Sequence, residues 1–184
     1  MDASEQELDE HLRQAVDARR ASRPEAAWGH LIAAESISRS TGRRRTLVTT
    51  LAGMAQLHRD AGDAASALPL FEEAVTHCQQ LRDPHLLAQA LRHLGEVHLE
   101  LRHFDRAAQL LRDALDLYRT QPGTEPLDLA NAVRPLALCL ERQGAADESR
   151  ALWAEARDLY ATLGIEAGVT ECQAGVARLP SRQD

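Results

Sequence analysis

The chain has 184 residues, enough for one substantial domain, and 44% are hydrophobic but only 3% aromatic; a core so poor in aromatics favours close-packed helices over a sheet of Val, Ile and Tyr. A net charge of −7 argues against a nucleic-acid or anionic-membrane surface, because each needs a concentrated basic face. Lysine is absent, which removes Schiff-base, P-loop and lysine general-base chemistry.

The opening stretch MDASEQELDEHL is acidic and has no apolar run. No span of about 18 apolar residues follows, so neither a signal peptide nor a membrane helix is expected. Cys78, Cys139 and Cys172 are far apart and form no CxxC pair. They read as reduced core residues of a cytoplasmic protein.

A period of about forty residues organises the rest. LAGMAQLHRDAGDAASALPLFEEAVTHC from Leu51, LRHLGEVHLELRHFDRAAQLLRDALDLY from Leu91 and VRPLALCLERQGAADESRALWAEARDLY from Val133 carry the same chemistry at the same offsets. Small residues fall at Ala55, Gly95 and Ala137, then at Ala67, Ala107 and Ser149, then at Ala74, Ala114 and Ala156. A bulky apolar residue precedes the last of these: Phe71, Leu111, Trp153. Ala15, Ala27, Leu31 and Ala34 form a weaker upstream copy, with Gln14 where the others have Met54, Leu94 and Leu136. Terminal repeats deviate because one face meets water.

Each copy reads as two helices, the second marked by Ala107, Leu110, Leu111, Ala114 and Leu115 at helical spacing. The turn AGD at 61–63 and the turn QGAAD at 143–147 place Gly62 and Gly144 where a helix end needs a left-handed residue. Asp63 and Asp105 are the expected N-caps of the helices that follow. Asp83-Pro84 and Thr124-Glu125-Pro126 read as helix starts with proline in the first turn. Pro135 lies about nine residues into its helix, where proline costs roughly 3 kcal/mol; a kink near Asn131–Ala132 or a late start is expected there. Pro69 shares that problem unless its helix starts near Ser66. Ile165, Val169, Cys172, Val176 and Leu179 share one face of a final helix that covers the open end of the stack.

Small residues let helix axes approach to roughly 8–9 Å, so a recurring small triplet marks crossings repeated down the chain. One hairpin cannot bury its face alone, and neighbours must stack. The expected architecture is all-α, a right-handed α–α superhelix of about four hairpins plus a C-terminal capping helix. The whole of 1–184 is expected to be one domain, with repeats near 5–42, 43–82, 84–121 and 126–164, the cap at 165–179 and a tail at 180–184.

The spacing small–x11–Ala–x6–Ala, with Leu94-Gly95 and a bulky residue three before the last Ala, resembles the tetratricopeptide repeat (TPR). Copies 40 and 42 residues apart resemble the long-repeat branch that includes kinesin light chain, above all in LALCLERQGAADESRALWAEARDLY. The family's first-helix Tyr is replaced by His58, His98 and Leu140, and its early Trp is missing. The resemblance implies a non-enzymatic module for protein–protein interaction or scaffolding, whose first helices line a concave groove.

His93, His98 and His103 in HLGEVHLELRH fan around a helix rather than stacking at i, i+4, so no metal site is expected there. His58 and His98 are read as half-buried residues with local hydrogen bonds. Arg43, Arg44 and Arg45 are read as solvated loop charges. Glycine-rich phosphate loops, GxSxG and HExxH are absent, so no catalytic residue, cofactor or metal is expected. Phase on the first helices picks out Thr49, Gln56 and Arg59, then Gln89, Arg92 and Glu96, then Asn131, Arg134 and Glu141 as the peptide- or protein-binding face. Amides and guanidiniums there suit an extended or helical peptide. Arg92 and Arg134, at equivalent positions, suit one with an acidic segment. The family's chaperone-tail binders hold a terminal carboxylate with Lys and Asn; with no lysine and only Asn131, that activity is not expected. The alternative is a self-associating unit whose partner is a second copy of the chain.

Overall fold

The computed structural model describes residues 3–180; residues 181–184 of the expected tail lie outside the described residues. The described residues form helices α1 (Ala3–Arg20), α2 (Pro24–Ser40), α3 (Arg44–Asp60), α4 (Ala64–Leu81), α5 (Pro84–Glu100), α6 (Phe104–Thr120), α7 (Pro126–Gln143), α8 (Ala146–Thr162) and α9 (Glu166–Arg178). No strand occurs among them. They group into two compact units, 1–83 with α1–α4 and 84–184 with α5–α9.

The helices begin and end where local chemistry dictates. Pro24, Pro84 and Pro126 open α2, α5 and α7, positions where the missing N–H is no loss. Asp63 caps α4 by accepting the Ser66 backbone N–H at 3.0 Å. Gly62 (φ 77°) and Gly144 (φ 80°) take left-handed backbone at the turns inside their hairpins. Ser22 (φ 54°) and Arg102 (φ 63°) do the same job without being glycine. The four positions lie 40, 40 and 42 residues apart, so the turn repeats with the period of the core.

Every small residue named from the period is buried. In the unit of residues 1–83, Ala15, Ala27, Ala34, Ala55, Ala67 and Ala74 line the helix contacts, with Leu31 and Phe71 between them. In the unit of residues 84–184, Gly95, Ala107, Ala114, Ala137, Ser149 and Ala156 do so around Leu111 and Trp153. A Cβ at Gly95 would sit 2.7 Å from Leu111 Cγ, so the glycine sets how closely α5 meets α6. Ser149 fits among alanines because its hydroxyl donates to the Ala137 carbonyl at 2.8 Å, which offsets the cost of burying it.

Two local expectations are corrected, and the condition on Pro69 is not met. The N-cap position of α6 is His103, not Asp105; Asp105 lies in the first turn and accepts the Gln143 amide at 2.7 Å. There is no late start at Pro135, because α7 runs unbroken from Pro126 to Gln143 with Pro135 buried inside it. Pro69 likewise sits inside α4, which starts at Ala64 rather than near Ser66. In both cases a buried face supplies packing along the whole helix, and that outweighs one missing backbone hydrogen bond.

The α9 face is seated as its spacing implies. Cys172 and Leu179 are buried, and Ile165, Val169 and Val176 are half-buried against the core of α5–α8. Gly168 and Gly175 bring the helix against the rings of Tyr160 and Trp153, a close approach that the apolar spacing alone does not reveal.

Candidate functional site

The candidate residues fall into two separate clusters. In the first unit, α3 presents Thr49, Gln56 and Arg59. Thr49 is exposed, and its hydroxyl bonds back to the Arg45 carbonyl at 3.4 Å. Gln56 accepts from Arg59 at 3.3 Å and donates to Asp60 at 2.9 Å. Asp60 in turn takes Arg19 of α1 through two hydrogen bonds of 2.5 and 3.1 Å. These bonds hold the Asp60 carboxyl below its ordinary range. The basic run is not a loop: Arg44 and Arg45 begin α3. Arg45 pairs with Asp83 at 2.5 Å, and Arg43 lies 3.6 Å from Glu5.

In the second unit, α5 and α7 present Gln89, Arg92 and Glu96 beside Asn131, Arg134 and Glu141. Arg92 and Glu96 form a pair at 2.6 Å whose side chains are each only 13% exposed. A guanidinium can only donate. The 2.9 Å contact from Arg92 therefore makes His93 Nε2 the acceptor and leaves the ring proton on Nδ1, which faces Glu96 at 3.5 Å. Burial opposes the charge on Arg134, and its ion pair with Glu171 holds it above the ordinary value, with Glu96 adding the smallest contribution. Gln89 contacts His85 at 3.1 Å, and His85 lies 3.6 Å from Asp128 of α7. Beneath them is Tyr118, whose ring packs edge-on against His85 and whose hydroxyl burial pushes up to about 12.

The α7 half is tied to the helices that follow. Asn131 accepts the Tyr160 hydroxyl at 2.9 Å. Arg134 donates both its contacts to Glu171 of α9, at 2.8 and 3.1 Å. Glu141 accepts Arg178 of α9 at 2.7 and 2.9 Å and the Trp153 indole N–H at 3.2 Å. The Arg178 hydrogen bonds hold the Glu141 carboxyl below its ordinary value. The same offset joins both ion pairs, 134 to 171 and 141 to 178, with the charges reversed. A parallel pair of links joins α6 to α8, Arg112 to Glu148 and Arg119 to Glu155. Sequence reasoning missed these braces. Opposite charges one repeat apart are the signal that would have exposed them.

His58 and His98 are half-buried, in keeping with their reading, and His103 lies beyond the end of α5. It starts α6, which brings its Nδ1 to 3.3 Å from His98 Nδ1. His58 lies edge-on to Trp28 at 5.1 Å and 3.5 Å from Asp63. Among the described residues no group of three or more His, Cys, Asp or Glu could hold a metal ion. No described helix is long and apolar enough to cross a membrane.

Hairpins of near-identical length, closed by small residues in register, define an α-helical repeat protein. Residues 45–120 match the family model described as tetratricopeptide repeat. No curated protein matches the chain. Among solved structures, the apo form of RapI superposes with TM-score 0.85 at 15% identity, over 94% of this chain; the chain spans 62% of that protein. Repeats of a candidate kinesin light chain from Podosopora anserina, described as nearly identical and TPR-like, match at TM-score 0.76 and 14% identity over 97% of this chain and 86% of theirs. A Rap protein complexed with competence and sporulation factor matches at 0.80 and 16% over 94% of this chain and 47% of its own. Residues 45–120 thus resemble tetratricopeptide repeats, and the described residues share the TPR-like α–α fold of these structures.

Proposed function

We propose that this protein is a non-enzymatic interaction module of the cytoplasm. Its α5–α7 face holds a peptide segment of a partner protein, and that segment is acidic. The observation that carries this reading is the placement of Arg92 and Arg134 at equivalent positions of successive first helices, each ordered by one carboxylate, Glu96 and Glu171. A ligand carboxylate exchanges with Glu171 for the Arg134 guanidinium, which is already ordered, so little side-chain entropy is lost on binding. Asn131 keeps its amide N–H groups for a ligand carbonyl, because its oxygen is taken by Tyr160. The Rap protein complexed with competence and sporulation factor supports a binding role for this fold. At 16% identity it says nothing of these particular residues.

A library of random peptides displayed on phage and panned on the chain tests the reading. Peptides rich in Asp and Glu are expected. Arg134→Gln is expected to lose them, while Arg106→Gln, on the exposed surface of α6, is expected to keep them. Recovery of peptides with no acidic bias, or of the same peptides on Arg134→Gln, refutes it.

A further inference from the structure

The first unit contains an open cavity of about 310 Å³ lined by Pro24, Glu25, Trp28, Leu57 and His58, and none of the site residues above enters it. Its central feature is out of keeping with the repeat. At the offset of Trp28 the later copies carry Leu68, Ala108 and Arg150, three unlike side chains, so the fold does not require an aromatic there. Trp28 is only half-buried, whereas Ala27 beside it fills the repeat's own small position. The indole meets the His58 ring at 81° with centroids 5.1 Å apart, giving two aromatic walls at a right angle. Leu57 supplies an apolar floor, and the exposed Glu25 carboxylate stands at the rim in the first turn of α2. Among the described residues Glu25 makes no ion pair or hydrogen bond.

We propose that this cavity binds an alkylated ammonium group. The face of an indole carries negative quadrupole density, which attracts a cation whose alkyl surface also wants to leave water. A carboxylate at the rim adds a charge of the right sign. An anion meets the wrong sign at both Trp28 and Glu25. A neutral apolar group gains the burial but not the charge. The volume is at the low end of small-ligand sites, ~300–1,000 Å³, which suits one headgroup rather than an extended molecule. The site lies outside the α5–α7 face and stands whether or not that face binds peptide.

The test uses choline and dimethylbutanol, its uncharged isostere, added to the full chain. Binding is read from the indole N–H signal of Trp28 by NMR, with the fully buried Trp153 as the internal reference. Choline is expected to shift Trp28 saturably and to bind at least about threefold more tightly than dimethylbutanol. Glu25→Gln is expected to abolish most of that preference. Calorimetry on Trp28→Leu, with helix content checked by circular dichroism, is expected to show no choline binding. N-acetyl-trimethyllysine amide is the second arm: tighter binding than choline assigns the group to a partner protein's side chain, and weaker binding assigns it to a free small molecule. Equal affinity for choline and dimethylbutanol overturns the proposal. So does a choline response unchanged in both variants, or none at all.

Discussion

Gly175→Ala isolates the contact on which the seating of α9 depends. A Cβ at that position would lie 2.5 Å from Trp153 Cδ2 and Cε2 and 2.9 Å from its Nε1. Ordinary van der Waals contact begins about 3.5 Å, so the ring or the helix must move by about 1 Å. The ring is poorly placed to yield: Trp153 is fully buried, its N–H is held by Glu141, and Arg178 lies 5.7 Å over it. Overpacking of this kind costs about 1–3 kcal/mol. Alanine returns about 1 kcal/mol of helix propensity over glycine. The net expectation is a loss of up to about 2 kcal/mol. Gly29→Ala is the control, since nothing lies within 4 Å of its Cβ position and only the propensity gain remains; it is expected to stabilise by roughly 0.5–1 kcal/mol. Urea unfolding followed by far-UV circular dichroism measures both, with Trp153 fluorescence reporting the second unit. A Gly175→Ala variant stabilised as much as Gly29→Ala means that α9 does not approach the indole as closely as this, and the reasoning fails.

Three further outcomes are expected. Arg102→Gly, which places glycine where Gly62 and Gly144 stand in other turns, should stabilise by up to about 1 kcal/mol, because Arg102 holds φ 63° at a steric cost; a lower urea midpoint contradicts this. Burial pushes the thiols of Cys78, Cys139 and Cys172 up to about 11. They should therefore react with a thiol reagent only as the fold opens, at a rate that rises steeply with added urea. Glu141 has a folded value below its ordinary 4.5. It therefore adds stability above the unfolded value that is lost as pH falls through the folded one. Urea midpoints from pH 6 to pH 3 should fall further for wild type than for Glu141→Gln, and parallel curves count against the Arg178–Glu141 pair.

What was legible in the sequence follows from which forces are local. The crossings could be read because residue size at a fixed offset decides whether two helices can meet, and Ala107 or Gly95 declares that size directly. Half of the left-handed turn positions could be read. Gly62 and Gly144 announce themselves, whereas Ser22 and Arg102 adopt the same backbone because the hairpin closes around them. The late start at Pro135 was expected because its local cost is plain in the sequence while the burial that offsets it is not. Helical phase groups the polar side chains of α5 and α7, but the partners of Arg134 and Glu141 were not legible, because they come from α9. Trp28 was counted with neither the core nor the site. Only comparison with Leu68, Ala108 and Arg150, together with the perpendicular His58 ring, separates it from an ordinary half-buried aromatic.

The braces bear on how the proposed peptide site would work. Arg134 gives Nη1 to both oxygens of Glu171, so a ligand carboxylate that takes Nη1 competes with α9 for it. Exposed ion pairs contribute about 0–1 kcal/mol, and that sets the penalty for releasing Glu171. It is small beside the burial of Cys172 and Leu179 and the packing of Gly168 and Gly175, which keep α9 seated. Arg92 differs, since its pair with Glu96 is mostly buried and breaking it leaves a carboxylate with poor solvation. On this reasoning Arg134 is the residue that exchanges partners, and Arg92 holds Glu96 in place. Glu171→Gln should then tighten binding of an acidic peptide, and Arg92→Gln should weaken the fold before it weakens recognition. Calorimetric titration of one selected peptide into both variants, beside their urea midpoints, distinguishes the two roles. Equal loss of binding in both variants, with stability unchanged, would show that the arginines are not divided in this way.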